Sequence, residues 1–262
     1  MLFVALSLAL SLVSACSIQT AESPAPEEMP VMSGDSKTRQ PVLVELFTSE
    51  GCSSCPPADR ELTFLETQQP VSGADVITLA FHVDYWDSSA WKDAFSSAEF
   101  SERQNQYVKR MRLDSSYTPQ MVVDGQSELV GSDSRQAAEA ITKAANKEKA
   151  MVEIKLAEGM AEIGIAMLQP HESATIYLAT AEDGLGTDVR GGENGGQRLQ
   201  HISVVRKLDT VGQLTAAENT FKSSAKLAAS PAWKKEKLKY IVFAQELSTG
   251  RVLAIGKARA GN

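Results

Sequence analysis

Leu46-Phe47-Thr48-Ser49-Glu50-Gly51-Cys52-Ser53-Ser54-Cys55-Pro56-Pro57 places two cysteines two residues apart directly after an apolar run. Residues 42–47 are almost continuous in apolar side chains, as expected of a parallel strand covered on both faces. Ala58, Leu62 and Leu65 then recur at helical spacing, so the cysteines sit where a strand passes into a helix. A helix N-terminus offers orphan backbone N–H groups and the positive end of a dipole, which can draw a cysteine from its free pKa of about 8.5 into a range of roughly 3.5 to 7.5. The stretch reads as a redox dithiol.

Working outward, 262 residues of ordinary apolar content are enough for one large or two ordinary domains. A formal net charge of -7 argues against a nucleic-acid partner, since phosphate binding needs a basic face. The one dense basic run, Lys234-Lys235-Glu236-Lys237, reads as solvated surface. Residues 2–13 have the length of a signal h-region and are too short to span a bilayer. Val13-Ser14-Ala15-Cys16 follows, and small residues before a cysteine resemble a bacterial lipobox, in which Cys16 takes the lipid and becomes the N-terminus. The competing reading is an ordinary secretory signal cleaved near Ala15; no Lys or Arg precedes the apolar run. Either reading exports the chain, and the first leaves it lipid-anchored in the bacterial cell envelope, facing the periplasm. With Cys16 lipidated, the thiols that remain are Cys52 and Cys55. A structural disulfide is the rival explanation in an oxidising compartment. Closing so short a loop is worth only about 2 kcal/mol, which favours a reactive role.

Residues 17–40, rich in Pro, Ser, Glu and Thr, read as a flexible tether. A strand over 42–47, a helix over 58–68 and a strand over 76–83 make a βαβ unit with a right-handed crossover. An aromatic and acidic loop follows, Asp84-Tyr85-Trp86-Asp87 with Trp91 close behind. Phe100, Tyr107, Val108 and Met111 share a helix face. Next come Tyr117-Thr118-Pro119-Gln120, a strand over 121–123, the turn Asp124-Gly125 and a strand over 128–130. A cap within 132–134 starts a helix whose apolar face is Ala137, Ala140, Ile141, Ala144 and Ala145. From about residue 150 the period changes to two, with strands predicted near 152–156, 163–167, 175–180, 201–208, 240–246 and 252–258, as in an antiparallel sandwich. The interruptions are a Gly-rich loop over 184–196, which has neither phosphate-binding spacing, and a partly helical stretch over 216–233.

Three segments carry a family resemblance: residues 45–59, Phe81-His82-Val83-Asp84-Tyr85-Trp86, and Tyr117-Thr118-Pro119-Gln120-Met121-Val122-Val123-Asp124-Gly125. Gly192-Glu193-Asn194-Gly195 leading into residues 201–206 adds to it. Over residues 41–258 the chain resembles the secreted thioredoxin-like bacterial proteins catalogued as a domain of unknown function. The resemblance implies an α/β thioredoxin-like domain (41–149) followed by an antiparallel β-sandwich domain (150–262), after a signal peptide (1–16) and the tether (17–40). It also implies that Thr118-Pro119 is a cis-proline element facing the dithiol. The alternative is a trans proline opening a strand.

These readings predict a thiol-disulfide oxidoreductase that needs no cofactor, with Cys52 as the more exposed nucleophile and Cys55 as the resolving thiol. Its partners would be protein thiols or disulfides of the cell envelope. Glu45, within an apolar strand, is either a buried acid that moves protons for the resolving thiol or a solvent-facing carboxylate. His82, at the end of a strand, either tunes a thiolate or is hydrogen-bonded in place. Tyr85, Trp86 and Trp91 wall the site or belong to the core. His171 and His201 have no ligand pattern around them. Two other functions stay open: a soft-metal (copper) chaperone using Cys52, Cys55 and His82, and a non-enzymatic binding lipoprotein.

Overall fold

The computed structural model describes Met1, Leu2 and residues 39–260. Cys16, the signal segment and nearly all of the tether lie outside the described residues. The chain runs through β1 (Gln40–Thr48), α1 (Pro56–Gln68), β2 (Ala74–His82), α2 (Ala98–Met111), β3 (Gln120–Val123), β4 (Ser127–Val130) and α3 (Ser134–Ala145). It continues through β5 (Ala150–Ala157), β6 (Met160–Ala166), β7 (Ala174–Glu182), β8 (Leu185–Asp188), β9 (Arg198–His201), β10 (Val204–Leu214), β11 (Thr220–Lys226), β12 (Leu238–Glu246) and β13 (Val252–Arg259).

The apolar run that opens the chain becomes β1, paired in parallel with β2 and antiparallel with β3. Its side chains divide by parity. Val42, Val44 and Leu46 face a core shared with Ala58, Leu62 and Leu65 of α1 and with Ala137, Ile141 and Ala144 of α3. Leu43 and Phe47 face the opposite side, with Phe100 and Tyr107 of α2. Local chemistry sets the helix starts: Pro56 and Pro57 stand at the first positions of α1, Ser97 caps α2 and Asp133 caps α3.

The expected division into an α/β thioredoxin-like domain and a separate β-sandwich domain is not what forms. One mixed sheet of eleven strands, ordered β11-β6-β5-β13-β12-β7-β10-β2-β1-β3-β4, carries both halves of the chain. The junction is short, Val204 of β10 beside Ala80 of β2. Beneath it lies a common core. Ala179 of β7, Val205 of β10, Ile241 and Phe243 of β12 and Ile255 of β13 pack into the same cluster as Phe47, Phe81 and α2. The alternate residues of β12, Tyr240, Val242 and Ala244, face a third core together with Ile163 and Ile176. β12 is thus buried at every position, the signature of a central strand rather than of a sandwich with one wet face. From Arg39 onward the described residues form one compact unit.

Two smaller expectations also change. The predicted strand over 201–208 is broken at Ser203, which has a positive φ of 56°; β9 ends before it and β10 begins after it. The partly helical stretch over 216–233 contains β11, an edge strand that pairs Phe221 with Ile165. Its alanines imitate helix composition, but Phe221 and Ala225 alternate with lysine and serine at a strand's period of two.

The tie between the halves is polar at its centre. Arg103 of α2 is buried and donates through Nε to Glu45 Oε1 at 2.6 Å. Its guanidinium carbon lies 5.5, 5.4, 5.2 and 5.3 Å from the ring centroids of Phe81, Tyr107, Tyr177 and Phe243. Those rings come from β2, α2, β7 and β12. Tyr107 Oη donates to Glu45 Oε2, and Gln245 Nε2 donates to Tyr107 Oη at 2.9 Å. Removing one member of such a buried pair strands the other charge. Arg103→Ala is therefore expected to cost about 3–5 kcal/mol in urea unfolding, while Glu45→Leu with Arg103→Met recovers most of that loss. A loss below about 1 kcal/mol for Arg103→Ala would remove the pair from this role.

Candidate functional site: a covered dithiol above a buried acid–histidine cluster

β1 ends at Thr48, and the chain turns through Ser49, Glu50 and Gly51 into the cysteines. Cys52 N–H donates to Ser49 O at 3.2 Å and Cys55 N–H to Cys52 O at 3.2 Å. Gly51 packs closely: a Cβ there would lie 3.2 Å from Trp86 O. Cys52 and Cys55 form a disulfide with their Cα atoms 5.4 Å apart. Cys55 is the N-cap of α1. The expected supply of orphan donors at this helix start is absent, because Pro56 and Pro57 have no N–H, and Ala58 and Asp59 donate theirs to Cys55 O.

The exposure expected of Cys52 is also corrected. Both cysteines are 0% exposed, and the two serines between them face solvent. The cover comes from the Gly-rich loop between β8 and β9. Asn194 is buried, and its Nδ2 donates to Glu50 O and Cys52 O, each at 2.9 Å. Glu193 accepts from Ser53 N–H at 3.0 Å and from Ser53 Oγ–H at 2.6 Å. Those bonds hold its carboxyl below the usual carboxylate range. Gly191 leaves no room for a side chain, since a Cβ would lie 2.1 Å from Ala90 O.

The Thr118–Pro119 bond is cis, and it borders the dithiol turn. Ser54 Oγ donates to Thr118 O at 3.5 Å and lies 3.4 Å from Cys52 Sγ. Trp86 Nε1 donates to Thr118 Oγ1 at 2.7 Å. Cys52, Cys55, Thr118, Pro119 and Trp86 are thereby brought to one region. Tyr85 stands nearby, half exposed, with its hydroxyl on Gln104 Oε1.

Behind the turn lies a cluster of buried titratable groups. His82 Nδ1 meets Asp93 Oδ2 at 2.7 Å. Burial alone would lower the His82 pKa, but Asp93 and, more weakly, Asp59 and Glu50 raise it overall. Burial works against the Asp93 carboxylate too, and His82 prevails, holding the Asp93 pKa at about 2. His201, at the end of β9, stands between two acids: Nε2 is 3.3 Å from Glu50 Oε1 and Nδ1 is 3.9 Å from Asp59 Oδ2. Burial raises the Asp59 carboxyl above its ordinary range, against the pull of His201 and His82.

Glu45 is not part of this site. It shares the parity of Leu43 and Phe47 and pairs with Arg103 on the face away from α1, so the acid expected to serve the resolving thiol lies across the sheet from it. The metal-binding alternative does not assemble either. Among the described residues no three His, Cys, Asp or Glu side chains are placed to hold a metal ion, and His82 faces Asp93. Reading the sequence gave no site role to Glu50, Asp59, Asp93, Glu193, Asn194 or His201, although Glu193 and Asn194 stood in the 192–195 motif. Asp59 had a further local signal, four residues after Cys55 and hence on the same helix face.

Two measurements check this site. Asp93, with its pKa depressed from 3.8, contributes stability that is present above that value and lost as pH falls toward 2. His82, with its pKa raised from 6.5, contributes stability that is present below that value and lost as pH rises through its higher folded pKa. The deficit of Asp93→Asn in urea unfolding should therefore be largest between about pH 4 and 6.5, on the order of 2 kcal/mol, and shrink on either side. A deficit independent of pH would contradict the pairing. Asn194→Ala removes two bonds from the cover, so reduction of the disulfide by dithiothreitol should become on the order of tenfold faster. An unchanged rate would mean that the loop does not limit access.

Three comparisons place the chain among known proteins. No curated protein matches it significantly. Among solved structures it is similar to protein AGR_C_4864 from Agrobacterium tumefaciens, at 29% identity and a TM-score of 0.67, with 84% of this chain and 94% of that one covered. A domain of the outer membrane lipoprotein Omp28 from Porphyromonas gingivalis aligns at 11% identity and a TM-score of 0.24, with 42% of this chain and 94% of that one covered. Residues 43–245 match the family described as "Protein of unknown function (DUF1223)", which spans the dithiol, the cis peptide and the covering loop, and the chain belongs to that family.

Proposed function

We propose that this protein is an exported thiol-disulfide oxidoreductase that exchanges disulfides with envelope proteins through Cys52 and Cys55. The observation that carries the reading is the two-residue dithiol closed as a disulfide at the start of α1, bordered by Thr118 and Trp86. In the oxidising direction for the dithiol, the Cys52 thiolate attacks one sulfur of a partner disulfide and the other partner sulfur leaves as thiolate. Cys55 then attacks Cys52 Sγ, the bond to the partner breaks, and the dithiol has given two electrons. Reduction of the Cys52–Cys55 bond runs through the same mixed disulfide. A partner must displace Glu193 and Asn194 to reach the sulfurs, so recognition and uncovering belong to one event. Cys16, carrying lipid, would hold the folded part at the membrane surface. Among the described residues no helix is long and apolar enough to cross a bilayer.

The complete burial of both cysteines favours one other reading, a non-enzymatic binding lipoprotein in which the disulfide fastens the 49–55 turn. The two separate cleanly. In cells making Cys55→Ser, covalent complexes through Cys52 should accumulate and disappear on reduction. If none form, and Cys52→Ser with Cys55→Ser keeps its partners, the binding reading stands instead.

A further inference from the structure

The cluster behind the dithiol leaves four polar atoms without a hydrogen-bond partner: Glu50 Oε1, His82 Nε2, and Nδ1 and Nε2 of His201. Glu50 and His82 are fully buried and His201 is 4% exposed. An unmet buried polar atom forfeits its hydration with nothing in return, so four in one place call for an explanation. Three groups are held by one atom and left open at the other. Asp93 fixes His82 through Nδ1, Trp91 Nε1 donates to Glu50 Oε2 at 3.2 Å, and Thr48 Oγ1 donates to Asp59 Oδ1 at 2.9 Å. The free ends converge on His201, whose ring packs edge to face against His82 with centroids 4.9 Å apart.

A neutral imidazole has one donor nitrogen and one acceptor, and His201 presents one nitrogen toward each of two carboxyl groups. Asp59 lies one helical turn beyond Cys55, a spacing that sets Cβ atoms about 5–6 Å apart on one face. Glu50 lies two residues before Cys52, and its own carbonyl is held by Asn194. The charged or titratable groups around Asp59 are Glu50 from the turn after β1, His82 from β2, Asp93 from the loop before α2 and His201 from β9. Arg206 of β10 is one layer out, over the Phe95 ring that packs against both histidines.

We propose that Asp59, His201 and Glu50 form a buried proton store for the Cys52–Cys55 couple, with Asp59 as the acceptor from Cys55 and His201 as the positioning residue linking it to Glu50. The inference rests on the exchange reading above. As the mixed disulfide is resolved, the Cys55 S–H bond breaks and its proton passes to the Asp59 carboxylate. The thiolate forms the bond to Cys52 Sγ, and the bond from Cys52 to the partner breaks, the partner leaving as thiolate with the electron pair. The dithiol is oxidised and the partner disulfide reduced. In the reverse direction the store protonates Cys55 as it leaves. The raised Asp59 carboxyl suits this role, because a base whose pKa is nearer the working pH exchanges protons more effectively.

The test uses the whole exported protein carrying a glutathione mixed disulfide on Cys52, and follows release of glutathione by Cys55 against pH. Wild type should show an inflection set by a group other than the thiol. In Asp59→Asn, which keeps the shape and the Thr48 contact, the rate at pH 7 should fall on the order of a hundredfold, leaving only the rise from the thiol's own ionisation. His201→Gln should displace the inflection. If Asp59→Asn fails to fold, the infrared difference spectrum of wild type, oxidised minus reduced, decides: a protonated-carboxyl band should appear on oxidation. Wild-type release with a pH profile unchanged in Asp59→Asn, no carboxyl band, or one divalent metal ion per chain in the purified protein each overturn the store while leaving exchange intact. Failure of wild-type Cys55 to release glutathione at any pH overturns both.

Discussion

The structure depends on a buried cation held in a box of aromatic rings. Arg103 is the point at which β1, β2 and α2 of the first half meet β7 and β12 of the second: Glu45 compensates its charge, and four aromatic rings close around it. A guanidinium tolerates this because it is planar, weakly hydrated and able to stack on ring faces while donating in its own plane. An ammonium, more strongly hydrated and without a plane to stack, would not. Apolar packing alone would join the halves anywhere their greasy faces met. Register between the halves comes from Gln245 of β12, which donates to Tyr107 Oη and accepts from Arg103 at 3.3 Å.

That register is what completes the site. The 50–59 segment supplies the disulfide and two acids, β2 supplies His82 and the following loop Asp93, but Asn194 and His201 come from beyond β8. Only because β10 lies beside β2 does the preceding loop reach back over the cysteines. Cover and cluster are consecutive on the chain, Asn194 above the dithiol turn and His201 behind it, so movement of one bears on the other. Displacing Asn194 would pull on the segment that positions His201.

Local features of this fold were legible in the sequence wherever one residue's neighbours explained it. β1, α1 and β2 followed from periodicity, the α3 cap from the 132–134 segment, and the dithiol from its spacing. What failed was long-range. Nothing in the alternation of residues 152–167 or the apolar run at 238–244 says whether those strands close on each other as a sandwich or join a sheet begun a hundred residues earlier. Arg103 and Gln104 are polar residues on the buried face of α2, and only Glu45 and Gln120, distant in sequence, account for their burial. The acids at the site were hidden for the same reason. Glu45 stood out because its neighbours are apolar, whereas Glu50 and Asp59 sit in a polar turn and a helix start, and the histidine they face, His201, lies about 140 to 150 residues away in sequence.

The separation between cover and dithiol also has a consequence in time. Asn194 lies 142 residues beyond Cys52. At a synthesis rate of about 5–20 residues per second, the cysteines precede the loop that hides them by roughly 7 to 30 seconds. During that interval the nascent thiols lack the loop that later covers them. Closure of the loop then separates two chemical lives of the same pair, an early one open to any small thiol reagent and a mature one shielded by Asn194.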